Sequence, residues 1–317
     1  MNQRRAFLLT AAALAARAVA QPNPGGKVFR IGVLTFDESN SPSSTWTAFV
    51  AELVKRGYVE GRNLSFERRD ARADAQRLDG LAVELVALQV DLIVTIAGLL
   101  GVVAAKKAST SIPIVMVGIG EPVRWGLVDS LARPGGNVTG NASFGNDLFI
   151  KQVELIVEAV GKPVRIGVLA GTGYSPLFAP AVRKHGAKLH FAELKSPEEL
   201  DETLESMARQ RVDALVIGNA PNPQRIAALT ARHRMPAIAG SRSYAEAGVL
   251  LSYSVDRADL GRDAATYVDR IFKGAKPADL PVQQATKFEF VVNQRTAKTL
   301  GLTIPRSIWL RADEVIQ

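Results

Sequence analysis

The feature that most restricts what this chain can fold into is an internal repeat. Arg30-Ile31-Gly32-Val33-Leu34 returns as Arg165-Ile166-Gly167-Val168-Leu169, and Val90-Asp91-Leu92-Ile93-Val94 returns as Val212-Asp213-Ala214-Leu215-Val216. Ile112-Pro113-Ile114-Val115 has its counterpart in Met235-Pro236-Ala237-Ile238. These runs are short, apolar and β-branched, the composition of strands buried on both faces. Helical spacing lies between them. Trp46, Phe49, Val50, Leu53 and Val54 line one face of a helix, as do Leu78, Leu81, Ala82, Leu85 and Val86, and later Leu200, Leu204 and Met207. Strands alternating with helices make a parallel sheet with right-handed crossovers. Because the order of elements occurs twice, the expected fold is α/β, with two similar doubly wound parallel-sheet domains.

Boundaries follow from local chemistry. Ser41 can cap the first helix with Pro42 at its first position, and Lys55-Arg56-Gly57 supplies a basic last turn and a stop. Ser196-Pro197-Glu198-Glu199 reads as a capping box, and Asn222-Pro223 as another helix start. Ile112–Val117 reads as a buried strand that turns at Gly118 and Gly120 into a helix opening at Glu121-Pro122. Arg133-Pro134-Gly135-Gly136-Asn137 then ends that helix. The last part of the chain is too short for a third domain. It reads as a strand at Val249–Tyr253, a helix at Asp256–Lys273 and a strand at Lys287–Val292, returning to the earlier sheets. The expected division is residues 21–140 plus roughly 255–285 for the first lobe, and 141–254 plus roughly 286–317 for the second.

The first twenty residues stand outside this scheme. Arg4-Arg5 precede Phe7-Leu8-Leu9, an Ala/Leu-rich stretch comes next, and Ala18-Val19-Ala20 closes it. That is a basic start, an apolar middle and an A-x-A cleavage site, with a twin-arginine look. The expectation is a cleaved export signal, residues 1–20, and a periplasmic protein. No cysteine occurs, which excludes disulfides, thiolate metal sites, a cysteine nucleophile and a lipidated N-terminal cysteine. The net charge of +8 falls to +5 once the three arginines of the signal are removed, and the remaining charges are interspersed. No nucleic-acid partner is therefore expected.

Catalytic motifs are missing. His185, His190 and His233 have no metal-ligand spacing, and neither a phosphate loop nor a G-x-S-x-G elbow is present. Gly118-Ile119-Gly120 offers two glycines of a dinucleotide fingerprint, but Val123 stands where the third belongs. The reading is a binding protein, not an enzyme, with no cofactor or metal.

Three runs carry a family resemblance: Gly57-Tyr58-Val59-Glu60-Gly61-Arg62-Asn63, the segment from Pro122-Val123 through Gly126-Leu127-Val128 to Val138-Thr139-Gly140, and Ala297 to Pro305. Together they resemble the TrpX-like ABC-transporter substrate-binding proteins, of the type I periplasmic-binding fold. The resemblance implies two lobes joined by three crossings and a ligand held by closure of the cleft. It also implies a membrane permease and its ATPase as partners. The family commonly has aspartate where this chain has Glu121, and Gly-Thr where it has Ala97-Gly98.

In such a fold, ligand contacts come from loops after the strands. The candidates are Thr35, Phe36, Ala97, Gly98, Gly118, Ile119 and Glu121 in the first lobe, and Tyr174, Asn219, Ser241 and Arg242 in the second. Asn141 and Ser254 are hinge candidates. Backbone N–H groups at helix starts favour a carboxylate. Arg242 either adds a bidentate contact or is a solvated loop arginine, and Glu121 either receives an ammonium or caps its helix. Phe36, Trp46 and Tyr174 could pack on an apolar ligand part, although Trp46 also fits the core face of its helix. The expected function is an exported, monomeric solute-binding component of an ABC importer that takes an amino acid or related carboxylate. The alternatives are a ligand-sensing module for a membrane receptor and, further off, a hydrolase or isomerase on the same scaffold.

Overall fold

The computed structural model describes residues 26–36, 43–72, 74–143, 145–161, 163–170, 175–194, 196–218, 220 and 222–317, apart from the side chains of residues 146, 175–178 and 197. The first lobe begins with β1 (Phe29–Thr35), α1 (Ser44–Lys55), β2 (Leu64–Asp70), α2 (Leu78–Ala87), β3 (Leu92–Ile96), α3 (Gly98–Ala108), β4 (Ile114–Gly120) and β5 (Val138–Ser143). The chain continues with α4 (Gly145–Val160), β6 (Arg165–Ala170), α5 (Ser175–Lys184), β7 (Lys188–Glu193), α6 (Leu200–Arg209) and β8 (Ala214–Ile217). Next come α7 (Pro223–Arg232), β9 (Ala237–Ala239), α8 (Arg242–Ala247), β10 (Leu251–Val255) and α9 (Arg257–Phe272). Last are β11 (Gln283–Gln284), β12 (Phe288–Asn293), α10 (Gln294–Leu300), α11 (Arg306–Arg311) and β13 (Glu314–Ile316).

Among the described residues the strands form two sheets, in the orders β11-β5-β4-β3-β1-β2 and β13-β12-β10-β9-β8-β6-β7. Every neighbouring pair is parallel except β10 with β12. Each sheet is covered on both faces, which is why its strands read as unbroken apolar runs. In the first lobe, Ile31, Val33, Leu92 and Val94 meet α1 and α9, while Leu34, Ile93 and Met116 meet α2 and α3. In the second, Ile166 and Val168 meet α4 and α5, while Leu169, Leu215 and Ile217 meet α6, α7 and α8. Trp46 is buried at 7% exposure against Phe49 and Phe66, on the core face.

Several expectations need correction. The first helix is capped by Ser43, whose Oγ accepts from the Trp46 N–H at 3.2 Å. Ser41 and Pro42 lie outside the described residues. Pro197–Glu199 form a 3-10 turn that runs into α6, so the helix expected to start at Ser196-Pro197 begins there as 3-10 and not as α. No helix lies between β4 and β5. Gly118 and Gly120 belong to the strand itself, and residues 121–137 form turns. Glu121 has φ +54, outside the helical region, and Gly126 and Gly135 also have positive φ. The glycines and Pro134 interrupt any helical run, and Leu127 and Val128 merely anchor the turns in the core. Sequence pattern does not resolve β5, Val-Thr-Gly-Asn-Ala-Ser, because it has little hydrophobic periodicity; its burial comes from β4, β11 and α9 around it.

The chain crosses between the sheets after β5, after β10 and after β11. It leaves each lobe at the carboxyl end of a parallel strand and re-enters at the corresponding end of the other. The carboxyl edges of the two sheets therefore face one another. The crossings are hydrogen-bonded together, Ala285 N–H to Ala142 C=O at 2.8 Å and Asp256 N–H to Lys287 C=O at 2.9 Å.

Candidate functional site

On the first lobe the candidates at the ends of β1, β3 and β4 lie at the facing edge, but not all of them point into it. Thr35 is 3% exposed, with its Oγ1 at 3.4 Å from the Arg69 carbonyl. Phe36 is half-buried on the α2/α3 side of the core. Ala97 and Ile119 are buried in the same cluster. Gly98 is exposed and opens α3. Among the described residues no side chain caps that helix and no acid lies in its first turn, an arrangement that suits an anion at its leading N–H groups.

The β4 loop is shaped by a bulge. The pairing of β4 with β5 shifts register between Met116 and Ile119. Gly118, at φ +68, sits in the irregular stretch, where a Cβ would lie 2.8 Å from Leu260 Cδ1. A bulge bends its strand and re-aims the residues beyond it, here Gly120 and Glu121. Glu121 is not a helix cap. Its side chain lies over Gly145, the first residue of α4, where a Cβ would come within 2.9 Å of Glu121 Cγ. No hydrogen bond or ion pair engages its carboxylate among the described residues. Glu121, Ser143, Gly145, Asp147 and Gln284 border a pocket of about 100 Å³ at the carboxyl ends of β4, β5 and β11.

Two polar candidates are committed elsewhere. Asn141 is fully buried; its Oδ1 accepts from Gly118 N–H at 2.7 Å and its Nδ2 donates to the Leu260 carbonyl at 2.8 Å. Arg242 meets three carboxylates, Glu246 at 2.6 Å, Glu289 at 2.7 Å and Glu314 at 2.6 Å. Hydrogen bonds donated to Glu246, Glu314 and Glu289 hold its pKa above the ordinary arginine value, so its fork is saturated by its own lobe. Ser241 precedes α8 and shares a hydrogen bond with Ser243 at 3.0 Å. Ser254 is 3% exposed. Tyr174 and Asn219 lie outside the described residues.

Sequence reasoning missed Gln152 and Asp147, both on α4. Gln152 is fully buried, and its Nε2 donates to the Tyr253 carbonyl at 2.8 Å. A glutamine within the apolar stripe of Val153 and Ile156 was the signal available. Among the described residues no group of acidic or histidine side chains could hold a metal ion, and no helix is long and apolar enough to cross a membrane.

Two lobes with facing carboxyl edges, three crossings and an open helix start define the class of two-lobed α/β binding proteins. The chain belongs to the family of ABC transporter substrate binding proteins, whose model matches residues 30–316. It is 25% identical over 284 residues to the tyrosine-binding protein of Clostridioides difficile (strain R20291), an alignment covering 86% of this chain and 81% of that protein. Among solved structures, a conserved domain protein from Vibrio cholerae is 27% identical with a TM-score of 0.86, over 91% of this chain and all of the other. An ABC domain from Streptococcus pneumoniae, solved in complex with L-Trp, is 26% identical with a TM-score of 0.84, over 91% and 99% of the two chains. The fold is that of the type I periplasmic binding proteins, and the chain is a TrpX-like substrate-binding protein of an ABC transporter.

Proposed function

We propose that this protein is the exported solute-binding component of an ABC importer, and that it closes its two lobes on a small organic solute, an amino acid or related carboxylate. The facing carboxyl edges of two parallel sheets carry this reading. A carboxylate would sit at the uncapped start of α3, where N–H groups and the helix dipole favour negative charge. An ammonium would meet Glu121, whose carboxylate has no partner among the described residues and is presented at the crossing. Closure removes water and strengthens both contacts. The relatives that carry tyrosine or L-Trp support an aromatic amino acid as the first solute to try. The solute leaves unchanged, handed as cargo to a membrane permease with its ATPase. The mature protein, starting at Gln21, acts as a free periplasmic monomer.

The test is a thermal-shift screen of residues 21–317 against L-tryptophan, L-tyrosine, other amino acids and organic acids, with the compounds assayed afterwards for consumption. Binding to the folded state alone adds about 2.7 kcal/mol at a hundredfold excess over Kd. A rise with one class and no consumption is expected. No rise across the whole panel, or turnover of the bound compound, would overturn the reading. Export is tested separately, by the mature N-terminus of protein recovered from the periplasm.

A further inference from the structure

Two buried amides occupy matching places at the roots of the crossings. In the first lobe Asn141 stands on β5, the strand that leads into the first crossing, and bonds to Leu260 in the first turn of α9, the helix entered from the second. In the second lobe Gln152 stands on α4, the helix entered from the first crossing, and bonds to Tyr253 on β10, the strand that leads into the second. Each lobe thus ties its outgoing strand to its incoming helix by one fully buried side-chain amide. Asn141 also holds the Gly118 N–H, tying the β4 bulge to the same clamp. Gln152 Oε1 has no hydrogen-bond partner among the described residues. A buried orphan acceptor is costly, and an apolar residue of the same shape would avoid that cost.

We propose that Asn141 and Gln152 are paired hinge locks that keep each lobe rigid to its edge and confine lobe motion to the short segments between them. Those segments hold Ser143 and Gly145 on the first crossing, Ser254 to Asp256 on the second, and Thr286-Lys287 on the third. Asn141 is in addition a positioning residue: it sets where Glu121 emerges without touching the solute. The inference rests on the two-lobe closure proposed above.

The chain has no cysteine, so Gln76→Cys and Gln224→Cys, exposed on opposite lobes, give one clean spin-label pair. Inter-lobe distances are measured by pulsed EPR without solute, in the parent and with Asn141→Leu or Gln152→Met added. The expected result is a broader distance distribution in either variant. Hydrogen exchange at the Gly118 amide should also be about tenfold faster in Asn141→Leu. A variant with lowered Tm but the parental distribution would overturn the proposal, leaving both amides with a structural role alone. Gln152→Met is nearly isosteric and carries the test if Asn141→Leu does not fold. A parental distribution unmoved by any solute in the panel counts against the solute-binding reading, whereas the locks are judged on the width of variant against parent.

Discussion

At the scale of single residues, Arg242 and Glu121 show how neighbours decide the role of a charge. Arg242 is a sequence candidate for binding a carboxylate, and it does bind carboxylates, three of its own lobe's. Its guanidinium holds α8 to β12 and β13. Arg242→Ala is therefore expected to leave solute affinity at the parental value and to lower stability by about 1–2 kcal/mol, since the pairs are partly exposed and screened. Urea denaturation and calorimetric titration with the solute found in the screen separate the two effects. Glu121 stands in the left-handed region at φ +54, a conformation that costs a non-glycine residue about 1 kcal/mol. Glu121→Gly should thus be more stable by up to about 1 kcal/mol, read as a higher urea midpoint, while losing affinity for a solute that carries an ammonium. Equal affinity in that variant would remove Glu121 from the site.

At the scale of elements, α1 and α9 cross at very close range. A Cβ on Gly261 would stand 2.1 Å from the Thr45 carbonyl, so α9 lies against α1 only because that side chain is missing. Gly261→Ala should force the helices apart at a cost of about 1–3 kcal/mol, read as a lower urea midpoint with an unchanged slope. At the other end of the same contact, Asp269 accepts from Tyr58 Oη and from Lys273 Nζ, each at 2.9 Å. Burial, and then the hydrogen bond to Asp269, push the pKa of the Tyr58 hydroxyl up to about 12. On the second lobe Glu158 of α4 receives Ser307 Oγ and Arg311 Nη2 from α11, each at 2.5 Å. The Ser307 hydrogen bond, with help from Arg311, holds the Glu158 carboxyl below its ordinary value of 4.5. A depressed carboxylate stabilises fully above its unfolded value and loses that contribution as pH falls through its folded value. The protection factors of the α11 amides, corrected for the intrinsic fall of exchange with pH, should accordingly drop once pH goes below about 4.5, and Glu158→Gln should flatten that dependence.

At the scale of the whole molecule, three crossings make the lobes two bodies on one hinge, and solute should draw them together. Small-angle scattering is expected to show a smaller radius of gyration with the bound solute than without it, and no change in molecular mass. The two lobes are evident in the sequence because a parallel sheet covered on both faces needs unbroken apolar strands, and the runs at Ile31, Leu92, Ile114, Ile166, Ala214 and Ala237 supply them in duplicate. Helix faces such as that of Trp46, Phe49 and Leu53 are evident for the same reason: burial imposes a period that local sequence records. The family, too, can be read from three short runs. The sequence by itself thus determined the doubled order of strands and helices from burial that repeats at 2.0 or 3.6 residues, although α4, α8, α10 and α11 are not read from it. Only the tertiary structure decided that no helix starts at Glu121, that β5 is a strand, that Asn141 faces inward and that Arg242 is already paired. Each of these depends on atoms far away in sequence: Leu260 for Asn141, Glu289 and Glu314 for Arg242, and β4, β11 and α9 for β5. A polar side chain shows its chemistry in the sequence, but its partner is chosen by the fold.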